Sequence, residues 1–216
     1  MSVRYLLMDE SGDPGLDTDF FIAGTVEVSR EALKDLRRLL APYTHHYHLY
    51  NENKAAGLSA TGRPRLKACE ILCAILDRDD THASVVYVEK DRYTGPYLGK
   101  QGKPVVPAKF RNFVTRLLLE HHFQGRNIPT DTQIELVFDR VSMSRAVRQN
   151  LESYLSGNFR LPTIHHYTHV DSEYADPIFM PDLAVTVVKE YLRGDPETLE
   201  ALAVMAALNC LDVSAP

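Results

Sequence analysis

Three aspartates stand where their surroundings make ordinary solvation a poor account of them. In YLLMDESGDPG an apolar run from Tyr5 drives into Asp9 and Glu10 before the chain turns at Gly12, Pro14 and Gly15. In TQIELVFDR a second apolar run, Thr132 to Arg140, closes on Asp139, and Asp182 follows Pro181 at the start of an apolar helical pattern. Two carboxylates ending adjacent buried strands raise each other's pKa, and a cation is the usual remedy. Hard divalent ions such as magnesium or manganese take oxygen ligands, commonly one or two carboxylates together with substrate phosphates. A first-turn position also favours an acid through the helix dipole, so Asp182 has a structural reading as well. Salt bridging or turn capping is the matching alternative for Asp139.

Glu10 poses a separate question. Successive strand side chains point to opposite faces, so Glu10 turns away from Asp9 unless the strand has already ended. Gly12 permits an early break, which leaves two possibilities: a fourth site acid, or a structural partner for a helix or loop. Ser11 shares the face of Asp9 and is placed to orient a ligand.

These residues need elements to hold them. Val3–Asp9 and Phe20–Val28 read as strands joined by turn chemistry, an antiparallel opening pair. Ser29 caps a helix that Pro42 ends, and a further helix runs from near Pro64. Ala83–Lys90 is a third strand, Pro107 to Phe123 a helix, and Thr132–Arg140 a fourth strand. Ser142 or Ser144 opens the next helix, which stops near Gly157. Ile164–Ser172 is a polar edge strand, with His165, His169 and Tyr167 on one face. A helix follows Pro181, and a last one spans about 195–211. Later strands alternate with helices, which gives an α/β fold with a mixed five-stranded sheet flanked by helices on both faces, in a single domain over residues 1–216. Ligands of such sheets bind beyond the strand ends where chain order reverses, and Asp9 and Asp139 both end strands.

Composition narrows the function. Hydrophobic residues form 44% of the 216 and net charge is −5, so nucleic-acid affinity has to come from local patches. Residues 51–67 carry Lys54, Arg63, Arg65 and Lys67 against Glu52; residues 91–111 carry Arg92, Lys100, Lys103, Lys109 and Arg111 against Asp91. No apolar run is long enough to span a bilayer and no signal peptide is visible. Cys69, Cys73 and Cys210 read as reduced thiols, which points to the cytoplasm. Histidines four apart on a strand are about 13 Å apart, too far to share a zinc ion. No glycine-rich phosphate loop is present. The apolar final helix covers the sheet or, alternatively, meets a second copy or a protein partner.

Taken together, YLLMDESGDPG, FFIAGTVEV, LVFDR and DLAVTVVKEY resemble the domain-of-unknown-function family 3800, over roughly Tyr5 to Arg193. The resemblance implies a ribonuclease-H-like fold and a metal-dependent nuclease site built from acids. The family's first acids match Asp9 and Glu10, its mid-chain Asp matches Asp139, and its late Asp matches Asp182. Its late motif has Gln and Ala where this chain has Phe179 and Pro181. Its polar His motif finds its nearest counterpart in His48, with Glu52 and Lys54 close by. The expected site thus comprises Asp9, Glu10, Asp139 and Asp182, with Asp9, Asp139 and Asp182 holding magnesium or manganese, and Ser11, His48, Lys54 and Arg140 meeting substrate. The expected activity is cleavage of nucleic-acid phosphodiesters. The rival expectation is a weak or inactive ribonuclease-H-like module that binds nucleic acid or a protein partner, and a third is a defence or toxin component regulated by a partner.

Overall fold

The computed structural model describes residues 2–46, 63–139, 143–158, 160–170, 178–194 and 199–214. The strands are β1 (Val3–Ser11), β2 (Phe20–Ser29), β3 (Thr81–Glu89), β4 (Gln133–Asp139), β5 (Ile164–Val170) and β6 (Asn209–Asp212). The helices are α1 (Arg30–His46), α2 (Arg63–Leu76), α3 (Pro107–Phe123), α4 (Arg145–Ser156), α5 (Phe179–Leu192) and α6 (Leu199–Ala207). They build one sheet in the order β5-β4-β1-β2-β3-β6. The pairs β1–β2 and β2–β3 are antiparallel, whereas β4 and β5 lie parallel to β1, and β6 lies parallel to β3.

Strand alternation divides the core into two layers. Leu7, Ile22, Val26, Val85 and Val137 face a layer built with Leu36 of α1, Leu72 of α2, Val185 of α5 and Val204 of α6. Leu6, Met8, Phe21, Val86, Leu136 and Phe138 face the opposite layer, with Phe110 and Leu118 of α3 and Leu151 of α4. Each central strand is covered on both faces, which is why it reads as a continuous apolar run.

Local signals act largely as expected. The Ser29 hydroxyl accepts from Ala32 N at 3.0 Å, and that of Ser144 accepts from Val147 N at 3.4 Å, so each caps its helix. Four departures have physical causes. The sheet has six strands and not five: α6 stops at Ala207, and Asn209–Asp212 pairs with β3 where the helix was expected to run on to about 211. α1 continues past Pro42 to His46: an interior proline costs one hydrogen bond and crowds the preceding turn, yet the helix resumes beyond it. α5 begins at Phe179, which puts Pro181 inside the first turn, where a missing N–H costs little. A bulge between Ile134 and Glu135 leaves His165 without a cross-strand partner, and its Nδ1 accepts from Ile134 N at 3.2 Å. The bulge breaks the alternation that would put His165 on the face of Tyr167 and His169.

One glycine governs how closely α5 lies on the sheet. A Cβ built on Gly24 would come 2.7 Å from Val185 Cγ1 and 3.8 Å from Pro181 O. Gly24 is also the cross-strand partner of Asp9. The missing side chain therefore lets the first turn of α5 approach the strand that carries the acid. Gly24→Ala is expected to destabilise the protein by about 1–3 kcal/mol through overpacking, measured by urea denaturation. An unchanged midpoint would mean that Val185 yields without moving the helix.

Candidate active site

The parallel register between β1 and β4 aligns Leu7 with Val137 and Met8 with Phe138. One step further along both strands brings Asp9 beside Asp139, on the face of Leu7 and Val137. β1 continues to β2 on one side of the sheet and borders β4 on the other, so this is the rim at which chain order reverses. Asp182 sits in the first turn of α5, which covers β1 and β2. Three distant segments thus bring Asp9, Asp139 and Asp182 to one end of one face.

The electrostatics agree with the geometry. The Asp9 carboxyl is held well above the usual carboxylate range, first by burial and then by the negative charge of Asp182, with smaller pushes from Asp139 and Glu10. The Glu10 backbone N–H, 2.8 Å from Asp9 Oδ1, offsets part of this. A buried carboxylate among like charges is an unmet demand for positive charge.

All three donors are carboxylates, the chemistry a hard cation such as magnesium or manganese prefers. In the conformation shown they are neighbours by charge and not a finished cage: among the described residues no group of three His, Cys, Asp or Glu is spaced to hold a metal ion. The donor set fits such an ion in kind, and the carboxylates would have to move to complete its shell.

Glu10 does not join them. β1 remains a strand through Ser11, so alternation sends Glu10 to the opposite face, where its carboxylate accepts from Arg111 Nε at 2.8 Å. Burial raises the Glu10 pKa and the Arg111 charge pulls it back. Glu10 is therefore the structural partner of a helix: the pair fastens the end of β1 to α3 and fixes which way Asp9 faces. Ser11 lies on the Asp9 face. His48, Lys54 and Arg140 lie outside the described residues, as do residues 51–62 of the first basic loop. The second basic loop is less available than its composition suggests. Arg92 pairs with Glu89 and Asp212, Lys100 donates to Asp91 O, and Arg111 is committed to Glu10. Lys103 and Lys109 remain exposed.

Two buried polar groups escaped the sequence reading. Lys90, only 4% exposed, donates to Asp13 O at 2.6 Å and to Thr18 Oγ1 at 2.9 Å, tying down the loop between β1 and β2. Behind the sheet, Glu27 accepts from His122 Nε2 at 2.6 Å and from both terminal nitrogens of Arg126 at 2.7 and 3.1 Å. The Ser84 hydroxyl lies 3.0 Å from His122 Nδ1. This serine–histidine–acid order imitates a hydrolase triad, but Ser84, His122 and Glu27 are 2%, 3% and 0% exposed, so substrate has no access to them. The group is a structural network. Glu27 in FFIAGTVEV gave one signal, an acid with apolar neighbours inside a strand. His169, the other histidine that drew attention, stacks on Phe138 and meets Glu152 at 2.9 Å.

No protein-family model matches the chain, and no curated protein matches it by sequence. Solved structures do. The ribonuclease H2 from Pyrococcus horikoshii OT3 is similar with a TM-score of 0.51 and 13% identity, over 93% of this chain and 83% of that one. A mutant protein of Bst-RNase HIII aligns at 14% identity and a TM-score of 0.47, over 92% of this chain and 57% of that one. With the sheet order above, the first likeness shows a ribonuclease-H-like fold. No described helix is long and apolar enough to cross a membrane.

Proposed function

We propose that this protein is a divalent-metal-dependent nuclease that cleaves phosphodiester bonds of nucleic acid. The observation that carries the reading is the convergence of Asp9, Asp139 and Asp182 on the reversal rim of a ribonuclease-H-like sheet, with Asp9 half-buried among like charges. Asp9, Asp139 and Asp182 would hold magnesium or manganese, which supplies a polarised phosphoryl oxygen and an activated water. The chain's own part is positional. The Glu10–Arg111 pair holds the end of β1, Gly24 lets α5 bring Asp182 close, and Ser11 lines the approach on the same face. The resemblance to family 3800 belongs to this proposal, as does a cytoplasmic setting, where the free thiols of Cys69, Cys73 and Cys210 stay reduced.

A second reading, a weakly active or inactive module that binds nucleic acid or a protein partner, draws on Phe179. It is 3% exposed and apolar where the family carries a hydrogen-bonding Gln. The test is cleavage of single- and double-stranded RNA and DNA, with manganese and with chelator. Metal-dependent cleavage that disappears in Asp139→Asn is the expected result. Cleavage that survives the substitution removes Asp139 from the mechanism, and binding without any cleavage favours the second reading.

A further inference from the structure

We propose that the cleft where β1 ends, between Ser11 and the cations Lys189 of α5 and Arg193 at its C-cap, is a subsite for a backbone phosphate of the nucleic-acid strand, away from the phosphate at the acids. The inference rests on the nucleic-acid substrate class proposed above and adds where the strand is gripped. The cleft is lined by Ser11, Gly12, Thr18, Phe20, Lys189 and Arg193, with Asp19 and Ile22 completing it. Its free volume is about 240 Å³ including the open mouth. The cleft is shallow and open to solvent, so it can seat one group of a larger ligand and cannot enclose a whole small molecule.

Three observations select a phosphate. First, Asp182 and Lys189 of α5 and Arg193 at its C-cap, which keeps helical backbone angles, are spaced i, i+7 and i+11, so they share one stripe. The acid and the two cations therefore face the same side, at rises of about 10 Å and 16 Å from Asp182. At about 3.4 Å per nucleotide, the first interval corresponds to roughly three steps along a strand. Second, neither Lys189 nor Arg193 forms an ion pair among the described residues, in contrast to Arg92 and Arg111, whose charges are spent within the protein. Third, the wall opposite the cations is rigid. Gly12 has φ +88° and a Cβ there would strike Phe20 O, while Lys90 clamps the following turn through Asp13 O and Thr18 Oγ1. A fixed wall, a hydroxyl on Ser11 and two cations without an ion pair among the described residues form an anion seat. Asp19 is the lining's one acid; it is exposed and offsets one of the two positive charges, which leaves the lining net positive.

The experiment measures binding separately from cleavage. A labelled single-stranded RNA oligonucleotide and the DNA of the same sequence are titrated by fluorescence anisotropy in chelator, across a range of salt. The double variant Lys189→Gln/Arg193→Gln is expected to bind roughly tenfold or more weakly, with a salt slope smaller by one to two. The charge-matched Lys34→Gln/Arg37→Gln on α1 is expected to keep the wild-type affinity and slope. In the cleavage assay with manganese the cleft variant raises KM and keeps kcat. Loss of affinity in the cleft variant, in a wild-type protein that cleaves nothing, would leave the subsite standing and sink the nuclease reading. Unchanged affinity and slope in the cleft variant, in a wild-type protein that does cleave, would overturn the subsite alone. Absence of binding by the wild type, or equal losses in both double variants, also overturns the subsite. Thermal melting of each variant reports whether it has folded.

Discussion

Asp9→Asn is expected to lower kcat for metal-dependent cleavage roughly a thousandfold while raising the melting temperature of the metal-free protein. The first effect follows from the proposed ligand role, since a metal ion supplies several kcal/mol of transition-state stabilisation and each 1.36 kcal/mol is tenfold in rate. The second follows from the burial of Asp9 against Asp182 and Asp139. An amide carries no charge to desolvate or repel, and its oxygen can still accept from the Glu10 N–H. Because the Asp9 pKa is higher in the folded than in the unfolded chain, the folded state holds its proton longer. Metal-free wild-type protein should therefore lose stability as pH rises from the ordinary carboxylate range towards the elevated folded value, and Asp9→Asn should not show that loss. Magnesium at a hundred times its dissociation constant should return about 2.7 kcal/mol to the wild type and little to the variant. Calorimetric scans across pH, with and without magnesium, provide the check. A variant that melts lower than wild type at neutral pH would show that Asp9 is needed for folding and not held under electrostatic tension.

The opposite sign is expected behind the sheet. Glu27→Ala should destabilise the protein by about 3–5 kcal/mol, the typical cost of leaving buried charge uncompensated. Arg126 and His122 would lose their shared acceptor, and Arg4, 3.7 Å from Glu27, its nearest anion. His122 offers no compensation, because burial depresses its pKa and keeps the ring neutral. The hydrogen bonds from His122 and Arg126 outweigh the burial of Glu27 and hold its carboxyl down to about 2. That contribution is present above the unfolded glutamate pKa and is lost as pH falls towards about 2. Urea denaturation at neutral and acid pH should therefore show the wild type and Glu27→Ala converging in acid. A constant gap between them would mean that the loss comes from packing and not from charge. Unaltered metal-dependent kcat at a temperature where the variant is folded would confirm that the Ser84–His122–Glu27 order takes no part in catalysis.

The acids were legible because of what precedes them. An apolar run ending on Asp9 or Asp139 specifies both a buried strand and an exit rim, and period-two alternation then assigns the face. The same alternation contained the answer for Glu10, but only once β1 was known to continue through Ser11 in spite of Gly12. Elsewhere local pattern and tertiary pairing diverged. LEALAVMAALNCL reads as one apolar helix, yet its last residues gain more by extending the β3 edge. The extra residue at His165 is invisible to periodicity, because a bulge is set by the partner strand. Lys90 and Glu27 look like ordinary strand residues, since their partners lie in segments that composition cannot bring together. The basic loops misled for the converse reason: counting charges does not reveal that Arg111 is already spent on Glu10.

The placing of β1 at the centre of the sheet also sets an order of assembly. β1, β2 and β3 are joined by antiparallel pairings between sequential strands, so this meander can form while the rest of the chain is still being made. The pairing of Val3 with Gln133 must wait for β4, and the approach of Asp182 waits longer still, for α5. Closing such long loops is slow, and a chain in which only the meander has formed would carry Asp9 without either neighbouring charge. The electrostatic conflict at the rim thus arises late, when the remaining core is available to bear it. Nascent protein would have no acidic site until nearly all of its strands are in place.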